Sequence, residues 1–414
     1  MQPRPPLMPF DQALAQLLAQ AQPLPDIEWV DSFDADGRVL AHDQVSALQV
    51  PPFDNSAMDG YALRCADLAG VGTELPVAQR IAAGSSGQHL QPGTAARIFT
   101  GAPVPAGADA VVMQEACEAL DGGARVRIQA AVQPGQNIRR AGEDIALGAT
   151  VLAAGQRLGP AALGLAASIG LAQLPVHRRP RVALFSTGDE LVMPGQVAPQ
   201  DLPAGAIYNS NRFFLRSLLQ RLGCSVTDMG IVPDTREATI AALRQASSGH
   251  DVILTSGGVS VGEEDHIKPA VQALGSLDLW QIAVKPGKPF AYGRVQSGAG
   301  AAAHFLGLPG NPVASFVTCL VLVRPFLLRL QGVADVAPKT IAVRADFDWP
   351  RADKRREFLR ARLQPDGSLA LFGQQGSGVL TSTAWGDGLV DNPPGQSIAR
   401  GDSVRFIPFG GLLA

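Results

Sequence analysis

Sulfur ligands are nearly missing from this chain. It has four cysteines in 414 residues, Cys65, Cys117, Cys224 and Cys319, and no two of them form a C-x-x-C pair. That spacing argues against a structural zinc site and a disulfide framework, and it fits a reducing cytoplasm. An excess of one charge is missing too. The 34 basic and 37 acidic residues leave a formal net charge of -3, which gives no footprint for nucleic acid or a membrane surface. The N-terminus has no basic stretch leading into an apolar run, so no signal peptide is expected. Two greasy stretches stand out, 161–176 and 316–330. The first is short and rich in Ala and Gly, and Arg324-Pro325 cuts the second, so neither is expected to span a bilayer. The P-loop pattern G-x-x-x-x-G-K-[ST], the dinucleotide pattern G-x-G-x-x-G and the zinc pattern H-E-x-x-H are all absent.

What the chain does have is turns. There are 45 glycines and 32 prolines beside 46% hydrophobic residues, a composition for a packed multidomain protein with many short strands. Residues 9–21 repeat apolar positions at helical spacing. From 47 to 141 short runs such as RIFT and DAVVMQE alternate with Gly-Pro turns, which predicts a small β domain. Gly159-Pro160 opens an Ala-Leu helix within 142–178. Between 179 and 331 apolar runs, Gly- or Pro-marked loops and amphipathic segments alternate, the pattern of a doubly wound, mainly parallel α/β domain. From 332 onward the texture returns to β.

In an open α/β sheet ligands bind beyond the carboxyl ends of the strands, and the polar groups of 179–331 cluster there. Thr187-Gly188-Asp189-Glu190 follows VALFS, Pro233-Asp234-Thr235 follows DMGIV, and Ser256-Gly257-Gly258-Val259-Ser260-Val261-Gly262 precedes Glu263-Glu264-Asp265. Lys285-Pro286-Gly287-Lys288 follows QIAV, and Pro309-Gly310-Asn311-Pro312 follows HFLGL. Glycines after a strand let backbone amides approach an anion. Lysines add positive charge, and Glu190, Asp234 and Asp265 are hard donors suited to Mg²⁺. Together they point to a phosphate-bearing ligand with Mg²⁺. Taken singly each has a plainer reading: Asp234 as a helix cap, Glu263 and Glu264 as solvated acids, each lysine as a surface charge, His266 as a helix-surface residue.

Residues 51–64, PPFDNSAMDGYALR, combine turn chemistry with apolar anchors, and here a resemblance enters. FDNSAMDGYA (53–62), TGAPVP (100–105), AGEDI (141–145), STGDEL (186–191), GGVSVGEEDHIK (257–268), KPGKPFAYG (285–293) and LPGNPVAS (308–315) resemble, in order, the signatures of molybdopterin molybdenumtransferases, relatives of the gephyrin E domain. The resemblance implies a multidomain α/β plus β fold in four parts: a discontinuous helical linker domain (1–46 and 142–178), an inserted β domain (47–141), an α/β molybdopterin-binding domain (179–331) and a C-terminal β-barrel (332–414). It implies a homodimer whose site lies between the α/β domain of one copy and the inserted domain of the other. Asp59, Thr100 and Asp144 match its active-site positions, with Glu190, Asp234 and Asp265 as the Mg²⁺-binding acids. Thr187, Gly188, Ser256, Gly257, Gly258, Ser260, Gly262, Pro309 and Pro312 match pterin-site positions. Lys285, Lys288, Arg360 and Ser377 match positions near molybdate, with Arg362 sharing the strand face of Arg360.

The implied substrates are molybdate and adenylylated molybdopterin, and AMP leaves as molybdenum enters the dithiolene. The soft sulfur ligands then come from the substrate, in keeping with the few cysteines. The molybdopterin adenylyltransferase and molybdoenzyme maturation proteins are the implied protein partners. Two other readings remain at this level: a gephyrin-like scaffold that binds peptides, and the adenylyltransferase itself, which the 51–64 segment and the extra β domains disfavour.

Overall fold

A computed structural model describes residues 6–258, 266–298 and 302–413. The α/β part holds a six-stranded sheet in the order Ser225–Val232, Arg181–Thr187, Val252–Ser256, Ala302–Leu308, Pro289–Gln296, Gly275–Gln281. The first four strands are parallel; Pro289–Gln296 runs antiparallel to both of its neighbours, so the edge strand Gly275–Gln281 returns to the direction of the first four. Alternation along the strands feeds two cores. Val182, Leu184, Val252 and Leu254 face the helices Ser210–Arg221 and Pro312–Thr318, while Ala183, Phe185 and Ile253 face Arg236–Ser247 and Ile267–Leu274. Helices on both faces make the sheet doubly wound.

The helix Phe10–Gln20 joins the first of these cores through Phe10, Ala13 and Leu17. The Met8 amide donates to the Gln281 carbonyl at 2.8 Å, which fixes its start against the α/β sheet. The part expected to be helical, 142–178, carries one helix, Pro160–Ser168, and otherwise short strands. Ile27–Asp31 pairs with Gln173–His177, and Gln44–Val45 with Thr150–Leu152. Pro175 and the paired partner strands hold this chain extended where composition alone favours helix.

Arg324-Pro325 interrupts the apolar run 316–330 in composition but not in structure: Pro312–Thr318, Cys319–Val323 and Arg324–Leu330 form one continuous rod, whose middle segment is a π-helix. The wider turn relieves the clash a proline makes with the carbonyl four residues back. By length and composition this rod could cross a membrane, but 83% of it is buried inside the protein, so it is the core helix of the α/β part.

The inserted part is a six-stranded sheet in the order Ala110–Met113, Gly60–Leu63, Ala95–Ile98, Glu74–Ile81, Arg125–Ile128, Cys117–Leu120. In the C-terminal part, Arg356–Leu363, Gly388–Asn392, Ser403–Pro408 and Ile341–Arg344 pair in sequence across the sheet, and Leu369–Leu371 pairs with Arg356–Leu363. A bridge from Ala345 to Leu369 closes the ring into a barrel around Phe347, Leu359, Val390 and Phe406.

Candidate active site

The strand Arg181–Thr187 has Ser225–Val232 on one side and Val252–Ser256 on the other, so the chain leaves these strand ends in opposite directions and opens a crevice. The crevice is a cavity of about 1050 Å³ walled by the α/β strand ends and by the barrel. Of the residues singled out from sequence, Thr187, Gly188, Glu190, Asp234, Ser256, Gly257, Gly258, Lys285, Lys288, Pro309, Pro312 and Ser377 all line it. Ser260, Gly262 and Asp265 lie outside the described residues.

Two glycines on the floor have backbones that other residues avoid. Gly257 has φ 94°, and a Cβ there would stand 2.8 Å from the Thr187 carbonyl oxygen; at Gly258 (φ 64°) it would stand 2.6 Å from the Ile267 side chain. The floor is braced by Asn211, whose amide donates to Ser256 Oγ and to the Gly310 carbonyl, both at 2.7 Å. Asn209 caps the helix Ser210–Arg221 by accepting from the Arg212 amide. Neither asparagine was singled out from sequence. The polar triplet Asn209-Ser210-Asn211 at a strand-to-helix junction is the signal that would have found them.

Glu190 and Asp234 face the same cavity. The bland reading of Asp234 as helix cap is not what the structure has: Thr235 caps Arg236–Ser247, its hydroxyl accepting from the Ala238 amide. A Cβ at Gly188 would stand 2.5 Å from Glu190 Oε2, so the glycine leaves this carboxylate its place. Two hard oxygen donors fit a divalent cation bound partly through ligand phosphates. Among the described residues no three His, Cys, Asp or Glu side chains form a protein-only metal cluster.

The cations of the opposite wall differ in how they are compensated. Lys285 Nζ lies 2.9 Å from Glu357 Oε1 and 3.6 Å from Asp353. Arg355, a cavity residue missed from sequence inside the basic run KRR, is held by both oxygens of Asp353, at 3.0 and 2.7 Å. These two arginine contacts come first in holding the Asp353 carboxyl well below the usual carboxylate range. Lys288 has no carboxylate partner among the described residues. Arg360 is placed differently from its neighbours. It is fully buried behind the loop 375–377, donating to Ser382 Oγ (3.0 Å), the Phe358 carbonyl (3.1 Å) and the Gly376 carbonyl (3.3 Å). Burial pushes its guanidinium down to about 10. Arg362 turns away onto the Trp385 ring, 4.7 Å from its centre.

Asp59, Thr100 and Asp144 do not line this crevice. Asp59 Oδ1 accepts from the Thr100 amide (2.8 Å) and hydroxyl (2.7 Å), and these bonds lower its pKa. Asp54 pairs with Arg140 and the Ala141 amide, and the Ser56 hydroxyl donates to the Met58 carbonyl; both are turn scaffolding. The turn is rooted at Gly60, where a Cβ would lie 1.9 Å from the Val112 carbonyl oxygen.

Comparison with known proteins fits this arrangement part by part. Residues 8–170 match the MoeA N-terminal region (domain I and II), 183–329 a probable molybdopterin binding domain, and 342–409 the MoeA C-terminal region (domain IV). The chain is 38% identical to the molybdopterin molybdenumtransferase of Haemophilus influenzae over 98% of its own length and all of that protein's. It is 42% identical to molybdopterin molybdenumtransferase 2 of Mycobacterium tuberculosis over 87% of this chain and 89% of the relative. A crystal structure of the molybdopterin biosynthesis moeA protein from Pyrococcus horikoshii superposes with TM-score 0.84 at 28% identity, covering 97% of this chain and 100% of that one. With the α/β crevice, the inserted sheet and the closing barrel all matched in one relative from end to end, the chain belongs to the molybdopterin molybdenumtransferase family.

Proposed function

We propose that this chain moves molybdenum from molybdate into the dithiolene of adenylylated molybdopterin and releases AMP. The observation that carries the reading is a single crevice with two kinds of anion wall. Gly257, Gly258 and the Pro309–Pro312 loop offer backbone and helix N-termini on one side; Lys285, Lys288, Arg355 and Ser377 stand on the other. A cavity of about 1050 Å³ is at the upper end for small-molecule sites, with room for a nucleotide-linked ligand and an oxyanion together. Holding two anions in contact is chiefly a matter of positioning and charge screening.

Glu190 and Asp234, with Asp265 as the expected third acid, are the residues that would hold Mg²⁺. When bound, the ion would supply positive charge against the substrate phosphates. The chain's own groups do the rest: the glycine loops seat the phosphates, and Lys288 and Ser377 hold molybdate beside the dithiolene. Arg360 supports the loop that carries Ser377.

A homodimer completes the reading. The Asp59–Thr100 turn is absent from its own chain's crevice, so a second copy would have to deliver it. Trp29 and Phe33, 66% and 96% exposed, are apolar groups suited to a subunit interface. Four free thiols fit a cytoplasmic home. The enzyme that adenylylates molybdopterin is the expected supplier, and molybdoenzyme maturation proteins the expected recipients.

Purified protein given adenylylated molybdopterin should release AMP only when molybdate is added, and Lys288→Met should raise the molybdate requirement about tenfold or more. Turnover of ATP with unmodified molybdopterin, with no use for molybdate, would instead mark an adenylyltransferase; peptide binding without turnover would mark a scaffold.

A further inference from the structure

The lysine at the crevice rim is held by the barrel, not by its own domain. Val284–Lys285 forms a short parallel edge on the barrel strand Arg356–Leu363, with Lys285 in register with Glu357. The Arg356 amide donates to the Ala283 carbonyl at 2.9 Å. Glu357 is 1% exposed and receives three donors on its two oxygens. Lys285 Nζ reaches Oε1 at 2.9 Å, while Trp349 Nε1 and Asn392 Nδ2 reach Oε2 at 2.8 and 3.3 Å. The ammonium also stands 5.7 Å from the centre of the Trp349 ring. Lys285 is thus flanked by Trp349, Asp353 and Glu357, all from the C-terminal part.

We infer that Glu357 is a positioning residue: it fixes the Lys285 ammonium at the crevice wall and offsets its charge, whereas Lys288, which has no carboxylate partner among the described residues, faces the incoming oxyanion. A buried carboxylate met by three donors is specified by them, since both of its oxygens must accept. Glutamine cannot substitute. Its amide nitrogen would face either an ammonium or two N–H groups. The role in oxyanion binding rests on the molybdate reading above; the positioning of Lys285 does not.

Two readouts separate these. In the first, a lysine-directed acylating reagent is applied at low dose and modification is read site by site by mass spectrometry. E357Q should raise labelling of Lys285 several-fold and leave Lys288 unchanged. Unaltered labelling of Lys285 would overturn the inference. If E357Q unfolds, shown by labelling of every lysine, E357D keeps the charge and withdraws the carboxylate from Lys285 by one methylene. It should raise Lys285 labelling by a smaller factor, and no rise there would overturn the inference equally.

In the second, calorimetry gives the molybdate Kd of wild type, E357Q, K285M and the double variant. E357Q should weaken binding about tenfold, and the loss should vanish in the K285M background, because Glu357 acts through Lys285. Additive losses would show that Glu357 does not act through Lys285 and would overturn that half. If the wild type binds no molybdate, the molybdate reading fails, while the labelling experiment still decides where Lys285 is held.

Discussion

His304 shows how burial alone sets the chemistry of a side chain here. It sits inside the α/β core, 2.9 Å from the Tyr292 hydroxyl and edge-on to Phe326 with ring centres 4.9 Å apart. Burial comes first among the causes that push its pKa down to about 4 from the ordinary 6.5, and the Arg294 charge adds to it. The sign follows. Between pH 6.5 and about 4 the unfolded chain takes up a proton that the native imidazole refuses, so stability falls as pH falls through that window. His304→Gln should remove this contribution. Unfolding measured from pH 7 to 4.5 should show wild type losing up to about 1.4 kcal/mol per pH unit more than the variant. Parallel curves would mean that His304 is not held neutral.

Still at the scale of single residues, Asp59 has a bonding pattern with a clear consequence. Its Oδ1 takes both the amide and the hydroxyl of Thr100, so the acid and the turn are one unit. Thr100→Ala removes one of those two donors and Thr100→Ser keeps it. The alanine variant should lose about tenfold in AMP release with its melting temperature little changed, and the serine variant should stay near wild type. Equal loss in both would place the threonine methyl, not the hydroxyl, at the heart of the turn.

Among the elements, the loop 285–288 concentrates the most demands on few residues. Gly287 has φ 111°, and a Cβ there would lie 2.3 Å from Thr318 Oγ1 on the core rod. Gly287→Ala should cost about 1–3 kcal/mol of stability and raise the molybdate requirement more than it weakens pterin binding. A variant with unchanged molybdate response would show that the loop backbone does not place the lysines. This loop also marks how far sequence goes. An apolar run followed by K-P-G-K announces a strand end with cations beyond it, because strand periodicity and turn residues are local signals. That the same residues pair with Arg356 and Glu357, some 70 positions on, is a long-range register with no local signature, and Arg355 and Glu357 were missed for that reason. The rod 312–330 was legible as a helical segment, but the π-turn just before Arg324-Pro325 has no local signature in the sequence. The helix Phe10–Gln20 was legible as a helix from its spacing, but its docking on the α/β core depends on partners scattered over the rest of the chain.

For the molecule as a whole, the described strand-end residues Thr187, Glu190, Asp234, Ser256, Lys285 and Pro309 line one crevice, while Asp59 and Thr100 lie in another part of the same chain and do not line it. The proposed site is one made by two copies, the crevice of one and the Asp59–Thr100 turn of the other. The symmetric dimer that this proposal requires makes it directly testable. At molybdate well below the raised requirement of the lysine variant, Asp59→Asn and Lys288→Met homodimers should each release little AMP. Mixed in equal amounts with verified subunit exchange, they form heterodimers in which one site carries both defects and the other neither. Molybdate-dependent AMP release should then recover to about a quarter of the wild-type rate, the share of intact sites under random pairing. If heterodimers form and no activity returns, the reaction centre is built within one chain, and the shared-site account is wrong.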